Sequence, residues 1–307
     1  MGNRVLILLV LWILYSNDSL IAAVYQWSIP VTCVLSNETQ EPPQAFLWIP
    51  ENCQKVRAVL VGQHNMSEEN IVEHPVFREN MSELNIAVVS VTPAFNVVFD
   101  FNNGAGEQFE YMMKALADVS GYSELECAPI IPVGHSACAS YPWNFAAWKP
   151  ERTLAILSVH GDAPLTDLTG SGRSNPDWGN RNIDDVPGLM VEGEFEWWED
   201  RVQPALDFQK KFPDAAISFF CDAGRGHFDV SDQLLVYLSL FIKKAVENRL
   251  PLHTPLNKPV EKVNDSTFTV RFYRMGLDNP GRTGDICLLA SHPGDVDYKS
   301  SVQQISC

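Results

Sequence analysis

Ser136 is the side chain in this sequence whose neighbours are arranged for nucleophilic chemistry. It follows the apolar run Ala128-Pro-Ile-Ile-Pro-Val133, then Gly134 and His135, and small residues Ala137, Cys138 and Ala139 come after it. A serine presented for attack sits on a sharp turn between a buried strand and a helix. In that strained turn, bulky side chains two positions before or after it would collide. Gly134 meets the need upstream. Cys138 stands where the G-x-S-x-G pattern has its second glycine, and its small side chain suits the turn. A serine hydroxyl is a weak nucleophile, so the reading requires a general base and a residue to orient that base. Pro129 and Pro132 each remove a ladder donor, so the strand must be short or those positions must lie outside its bonded part.

The elements that must position Ser136 follow from periodicity. Tyr25, Trp27, Ile29 and Val31 alternate with polar residues, as in a half-exposed strand. The Pro42-Pro43 turn leads to a second strand over 45–49. A third, more buried strand over 57–61 opens into the loop 62–66, and a fourth runs over 86–91. Phe109, Met112, Met113 and Leu116 recur at helical spacing, and Gly121 closes that helix. After the serine, 138–148 reads as a helix, 154–159 as a strand ending at His160-Gly161-Asp162, and 188–191 as another strand. Residues 197–212 read as a helix carrying Pro204, and 216–221 as the last core strand. Ser231 is placed to cap a long helix over 234–249. This alternation predicts an α/β protein: a mostly parallel twisted sheet of about eight strands, with helices on both faces. Residues 163–186 interrupt it with a polar loop or small cap, where ligands bind in open α/β sheets.

Composition narrows the function classes. The 307 residues carry 22 Lys and Arg against 38 Asp and Glu, a formal net charge of −16. So acidic a chain repels phosphate backbones and anionic membranes, which argues against nucleic-acid binding. Residues 1–23 have the form of a secretory signal peptide: Arg4, the apolar run 5–15, then the small pair Ala22-Ala23. The expected organisation is therefore a leader (1–23), an α/β domain (24–250) with the insertion 163–186, and an extension (251–307). The final residues show no period and read as partly disordered. The mature protein is expected to be secreted or periplasmic and not bound to a membrane. Seven cysteines leave at least one unpaired; Cys33 and Cys53 could pair in an oxidising compartment. Asn-x-Ser/Thr sequons occur at Asn17, Asn37, Asn65, Asn80 and Asn264. No metal-ligand spacing is present, and no cofactor is implied.

Taken together, Gly134-His135-Ser136-Ala137, the loop after the third strand, Gly193–Glu196 and Gly226-His227 resemble the α/β-hydrolase superfamily over nearly all of 25–249. The resemblance implies a triad in the chain order serine, acid, histidine, each at the C-terminal end of a strand. Ser136 and His227 fit the first and last places. His64 and His135 read as structural. For the acid, the family often shows Gly-x-x-Asp after this strand, and Gly193-Glu194-Phe195-Glu196 puts Glu196 in that place. Glu194, Glu192 and Asp162 remain rivals. The same resemblance puts the oxyanion donors at the backbone N–H of Ala137 and of Asn65 or Met66. It implies a serine hydrolase cleaving a carboxylic ester through an acyl-enzyme. Trp143, Trp148, Trp178, Trp197 and Trp198 suggest a carbohydrate ester, since tryptophan stacks on sugar faces, although such residues are commonly core. A peptidase of the same fold, or a hydrolase fold that only binds, are the alternatives.

Overall fold

The computed structural model describes residues 25–36, 39–167, 173–196 and 198–261. The proposed leader, the sequons at Asn17, Asn37 and Asn264, and the tail beyond 261 lie outside them. Eight strands form one sheet: β1 (Trp27–Pro30), β2 (Gln44–Trp48), β3 (Ala58–Gln63), β4 (Ile86–Thr92), β5 (Ile130–His135), β6 (Ile156–Val159), β7 (Gly188–Gly193) and β8 (Ile217–Asp222). Their order is β1-β2-β4-β3-β5-β6-β7-β8. β1 and β2 run antiparallel, and β3 to β8 are parallel to one another. The alternating burial of β2 and the unbroken burial of β3, β5 and β7 reflect this change from edge to covered centre.

Among the described residues six α-helices accompany the strands: α1 (Glu68–Val72), α2 (Pro75–Glu83), α3 (Ala105–Ser120), α4 (Ser140–Trp148), α5 (Trp198–Lys211) and α6 (Asp232–Arg249). One apolar layer unites α3, α4 and α5 with one face of the sheet, and a second unites α1, α2 and α6 with the other. Burying both faces is what parallel strands require, and the architecture is the α/β-hydrolase fold anticipated from the sequence.

Pro132 sits inside β5, opposite Val61 of β3. On its other side β5 is bridged at Ile130–Thr153 and pairs again from Val133–Leu157. The residue lacking an N–H falls in the gap between them, so a central strand tolerates it. β3 runs two residues further than the sequence pattern indicated, taking Gly62 and Gln63 into the ladder. The anticipated pairing of Cys33 with Cys53 is not formed. Both are free, one exposed and the other buried.

The described residues of the insertion, 163–167 and 173–186, pack onto the body. Trp178 is buried, its indole N–H donates to Asn144 Oδ1 at 2.8 Å, and Asn144 Nδ2 donates to Asn175 Oδ1 at 2.7 Å. The chain after α6 also returns to the body: Val260 N–H donates to the Glu151 carbonyl at 3.0 Å, and Leu256 and Val260 are buried. Among the described residues no helix is long and apolar enough to cross a membrane.

Candidate active site

Ser136 follows β5 directly and takes a left-handed backbone conformation, φ +53°. A non-glycine residue there is strained and is held only where its surroundings fix it. The cause is the tight path of the next turn. A Cβ on Gly134 would lie 2.0 Å from the carbonyl oxygen of Cys138, so only glycine fits upstream. Cys138 itself is buried behind the turn.

The structure brings Ser136, His227 and Glu196 into one hydrogen-bonded line. The Ser136 hydroxyl donates to His227 Nε2 at 2.8 Å, and His227 Nδ1–H donates to Glu196 Oε1. Each comes from the C-terminal end of a different strand: β5, β8 and β7. Gly193 makes the turn that delivers the acid. Its N–H donates to Glu196 Oε2 at 2.6 Å, and a Cβ there would lie 2.6 Å from the Arg225 carbonyl. The loops carrying acid and histidine can therefore abut. The histidine loop is closed at its end by Asp222, which accepts the Ser231 hydroxyl at 2.7 Å. Ser231 in turn accepts the N–H of Leu234 and caps α6.

The rival acids have other partners. Glu192 is buried beside Arg201 Nη1 at 3.4 Å, and burial pushes its carboxyl well above the usual range. Glu194 accepts the N–H of Gly224 at 2.7 Å. The backbone carbonyl of Asp162 accepts the indole N–H of Trp143 at 2.9 Å. The carboxylate that meets His227 Nδ1 belongs to Glu196. Burial alone would raise the Glu196 carboxyl, but hydrogen bonds from His160, His227 and Gly193 outweigh it and hold the group well below the usual carboxylate range.

Two groups in the site carried no readable sequence signal. His160, at the end of β6, donates its Nδ1–H to Glu196 Oε2 at 2.5 Å. Glu68, the first residue of α1, is buried. Its Oε2 accepts the N–H groups of Asn65 and Met66 at 3.0 Å and Ser67 at 3.2 Å, and its Oε1 accepts that of His135 at 2.9 Å. The sequence reading placed an oxyanion donor at Asn65 or Met66. Both N–H groups point at this carboxylate. The N–H of His64 is also engaged, by the Val91 carbonyl at 2.7 Å. The Asn65 amide donates to the His135 carbonyl at 3.1 Å, and a glycan on that nitrogen would leave it a single N–H for this contact. His135 and His64 have structural partners: His135 Nε2–H donates to the His227 carbonyl at 2.7 Å, and His64 Nδ1 lies 2.5 Å from Glu69 Oε1. Burial pushes the His135 imidazole down to about 4.

His160, Glu196 and His227 offer ligand atoms within 4.8 Å of one another. The facing nitrogens are already bonded to the two carboxylate oxygens, and a cation there would have to displace both Nδ1 protons. Of the tryptophans named as a sugar platform, Trp143 and Trp178 are buried and Trp148 packs against the same core layer. The side chains of Trp197 and Trp198 lie outside the described residues.

No family model and no curated protein matches the chain. Solved structures do. An α/β serine hydrolase without a lid from Xanthomonas campestris is 15% identical, with TM-score 0.47, over 76% of this chain and 98% of that one. A hyperthermophilic esterase from Pyrobaculum calidifontis is 16% identical, with TM-score 0.48, over 72% and 85%. An S-formylglutathione hydrolase from Agrobacterium tumefaciens is 14% identical, with TM-score 0.48, over 72% and 92%. Independently of these likenesses, the chain's own strand order and its strained serine after β5 are those of the α/β-hydrolase fold.

Proposed function

We propose that this protein is a secreted serine hydrolase that cleaves a carboxylic ester through an acyl-enzyme on Ser136. The observation that carries the reading is the unbroken line from Ser136 Oγ through His227 to Glu196, with the serine on its strained turn. His227 Nε2 takes the hydroxyl proton as Oγ attacks the ester carbonyl. Glu196 holds the ring in the tautomer with hydrogen on Nδ1 and stabilises the imidazolium, and His227 then gives its proton to the leaving alcohol. Water, activated by the same imidazole, releases the acid and frees Ser136 for the next cycle. The Ala137 N–H serves as one oxyanion donor. A second, from Asn65 or Met66, requires that Glu68 Oε2 give up one of its three bonds as the substrate oxygen arrives.

On the substrate side, Met66, Leu165 and Phe228 are exposed and stand on the loops after β3, β6 and β8, at the same end of the parallel strands as Ser136, and Phe228 packs against the His227 ring. This apolar rim supports an uncharged, apolar acyl group. The sugar reading has lost Trp143, Trp148 and Trp178 to the core, so acetylated sugars enter only as one arm of a substrate panel. The test is reaction with a fluorophosphonate, followed by a panel of acyl esters, acetylated sugars and peptides. Labelling at Ser136 with ester turnover is expected. An unlabelled, folded protein would leave a binding module, and turnover of peptides alone would make it a peptidase. Export is tested by finding the mature protein outside the cytoplasm with a new N-terminus near Ala23.

A further inference from the structure

We propose that His160 is a positioning residue for the triad acid, a second imidazole that fixes the Glu196 carboxylate from the side opposite His227. Glu196 Oε1 receives His227 Nδ1–H and Oε2 receives His160 Nδ1–H, so each oxygen is bonded to one ring. Oε2 also takes the Gly193 N–H. The carboxylate cannot turn about its bond without breaking contacts on both sides.

Three features show that His160 is held for this purpose. It is fully buried, which costs a polar side chain unless its bond matters. Its backbone has φ +51°, strained for a residue with a Cβ, and its carbonyl is gripped by Arg201 Nη1 at 2.5 Å. Its Nε2 is buried without a hydrogen-bond partner among the described residues, so a second proton would have no acceptor. The ring's hydrogen bond is made by Nδ1, a donor fixed in place against Glu196 Oε2. It occupies the end of β6, where a hydrolase of this fold can carry its acid. Here that loop supplies a partner to the acid from β7.

The charged and titratable groups around this pair come from every neighbouring element. Arg201 on α5 is 3.8 Å from Glu196 Oε1, and Glu192 of β7 lies beside Arg201. Asp162 follows His160, Asp222 ends β8 and feels the His160 ring, and His135 ends β5 with its ring centre 5.5 Å away. None of these places a donor on Glu196 Oε2 as His160 does. A carboxylate that lost this donor would attract the imidazolium of His227 more strongly. The base would then stay protonated to higher pH, and the carboxylate would be free to turn.

The inference rests on the triad reading, and the test separates the two. In His160→Phe the ring bulk remains and the donor goes. The acidic limb of its kcat/KM profile is expected to move up by about one pH unit, with kcat falling about ten- to a hundredfold, as for lost outer-shell partners. In His160→Asn the side-chain nitrogen stands near the place of Nδ1, and asparagine tolerates the left-handed backbone. That variant should keep the wild-type limb and most of the rate. If the phenylalanine does not fold, the asparagine variant still decides: inactivity despite its donor overturns the proposal. So does an unchanged limb in a folded phenylalanine variant. Proton NMR of the wild type needs no turnover. It should show two strongly downfield imidazole N–H signals, one of them lost in His160→Asn, and a single signal would overturn the proposal even if Ser136 reacts with the probe.

Discussion

The carboxylate of Glu68 accepts the backbone N–H of His135 across 2.9 Å, and so ties the loop after β3 to the residue before Ser136. The two positions are 67 residues apart in sequence. Three further N–H groups from 65–67 reach its other oxygen, so one buried side chain sets the relative placement of both candidate oxyanion elements. Burial pushes this carboxyl up, while the backbone donors oppose it.

Glu68→Gln should lose about ten- to a hundredfold in ester turnover while remaining folded. An amide has one acceptor oxygen, so either the loop or His135 then faces an N–H where it needs an acceptor. Ester kinetics with a thermal melt check this, and a variant at wild-type rate would remove Glu68 from the account of the site.

Replacing Ser136 with Ala should abolish fluorophosphonate labelling and lower ester turnover by several orders of magnitude, leaving circular dichroism unchanged. Only binding and the oxyanion donors remain without the nucleophile. A drop of a few-fold in a folded variant would place the chemistry elsewhere.

Glu196→Gln should cost about four orders of magnitude in kcat, since an amide N–H facing His227 Nδ1 favours the wrong tautomer. Glu194→Gln and Asp162→Asn should cost far less, because the carboxylate that meets the imidazole belongs to neither. Glu192→Gln belongs with these two, as its partner is Arg201. A dead Asp162→Asn beside a working Glu196→Gln would reverse the assignment.

Acid should destabilise the fold in a window set by His135. Its native imidazole releases its proton at about 4, against about 6.5 for an ordinary histidine. Between those values the unfolded chain holds a proton that the buried ring refuses. The stabilisation is therefore complete above about pH 6.5 and is lost as pH falls towards 4, at most about 3 kcal/mol. The Glu196 carboxylate, held low, contributes stability that is present above about pH 4.3 and is lost only as pH falls below it. Urea midpoints at pH 7, 5.5 and 4 should fall more steeply for wild type than for His135→Gln, which keeps a donor for the His227 carbonyl. Parallel declines would assign the loss to other groups.

Chain length of the acyl group should matter. Along a series of nitrophenyl esters, each added methylene that reaches the rim of Met66, Leu165 and Phe228 should raise kcat/KM about two- to threefold, less than the ~0.8 kcal/mol of full burial. Phe228→Ser should flatten that slope, whereas Val236→Ser, on the outer face of α6, should not. A flat series in wild type would mean that the rim does not touch the acyl group.

The sheet, the turn at Ser136 and the carboxylate three residues after Gly193 that meets His227 were legible because each is local. Runs of Val and Ile mark buried strands, and glycine marks the places where backbones meet. Glu68 was not legible because a charged residue at the start of a five-residue helix looks solvated; only the fold reveals four N–H groups converging on it. His160 read as the end of a strand, since its partner comes from another loop 36 residues on. Nor could any pattern in the loop after β3 announce the acceptor that its N–H groups meet, since that acceptor is the side chain of Glu68. The tryptophans misled in the opposite way, their packing being a tertiary fact.

His227, the base in the proposed mechanism, lies 91 residues along the chain from Ser136, and this separation governs how reactivity would arise. Contacts so distant are paid for in chain entropy before they return anything, and they close late. A chain with β5 and α4 formed but β8 undocked would carry its serine on the turn with no base to activate it. Reactivity is thus a report on completion, not on compactness. In a refolding experiment, phosphonate labelling should lag behind the recovery of secondary structure and rise with the docking of β8 and α6. A chain crossing a membrane unfolded would remain chemically inert until it had finished folding on the far side.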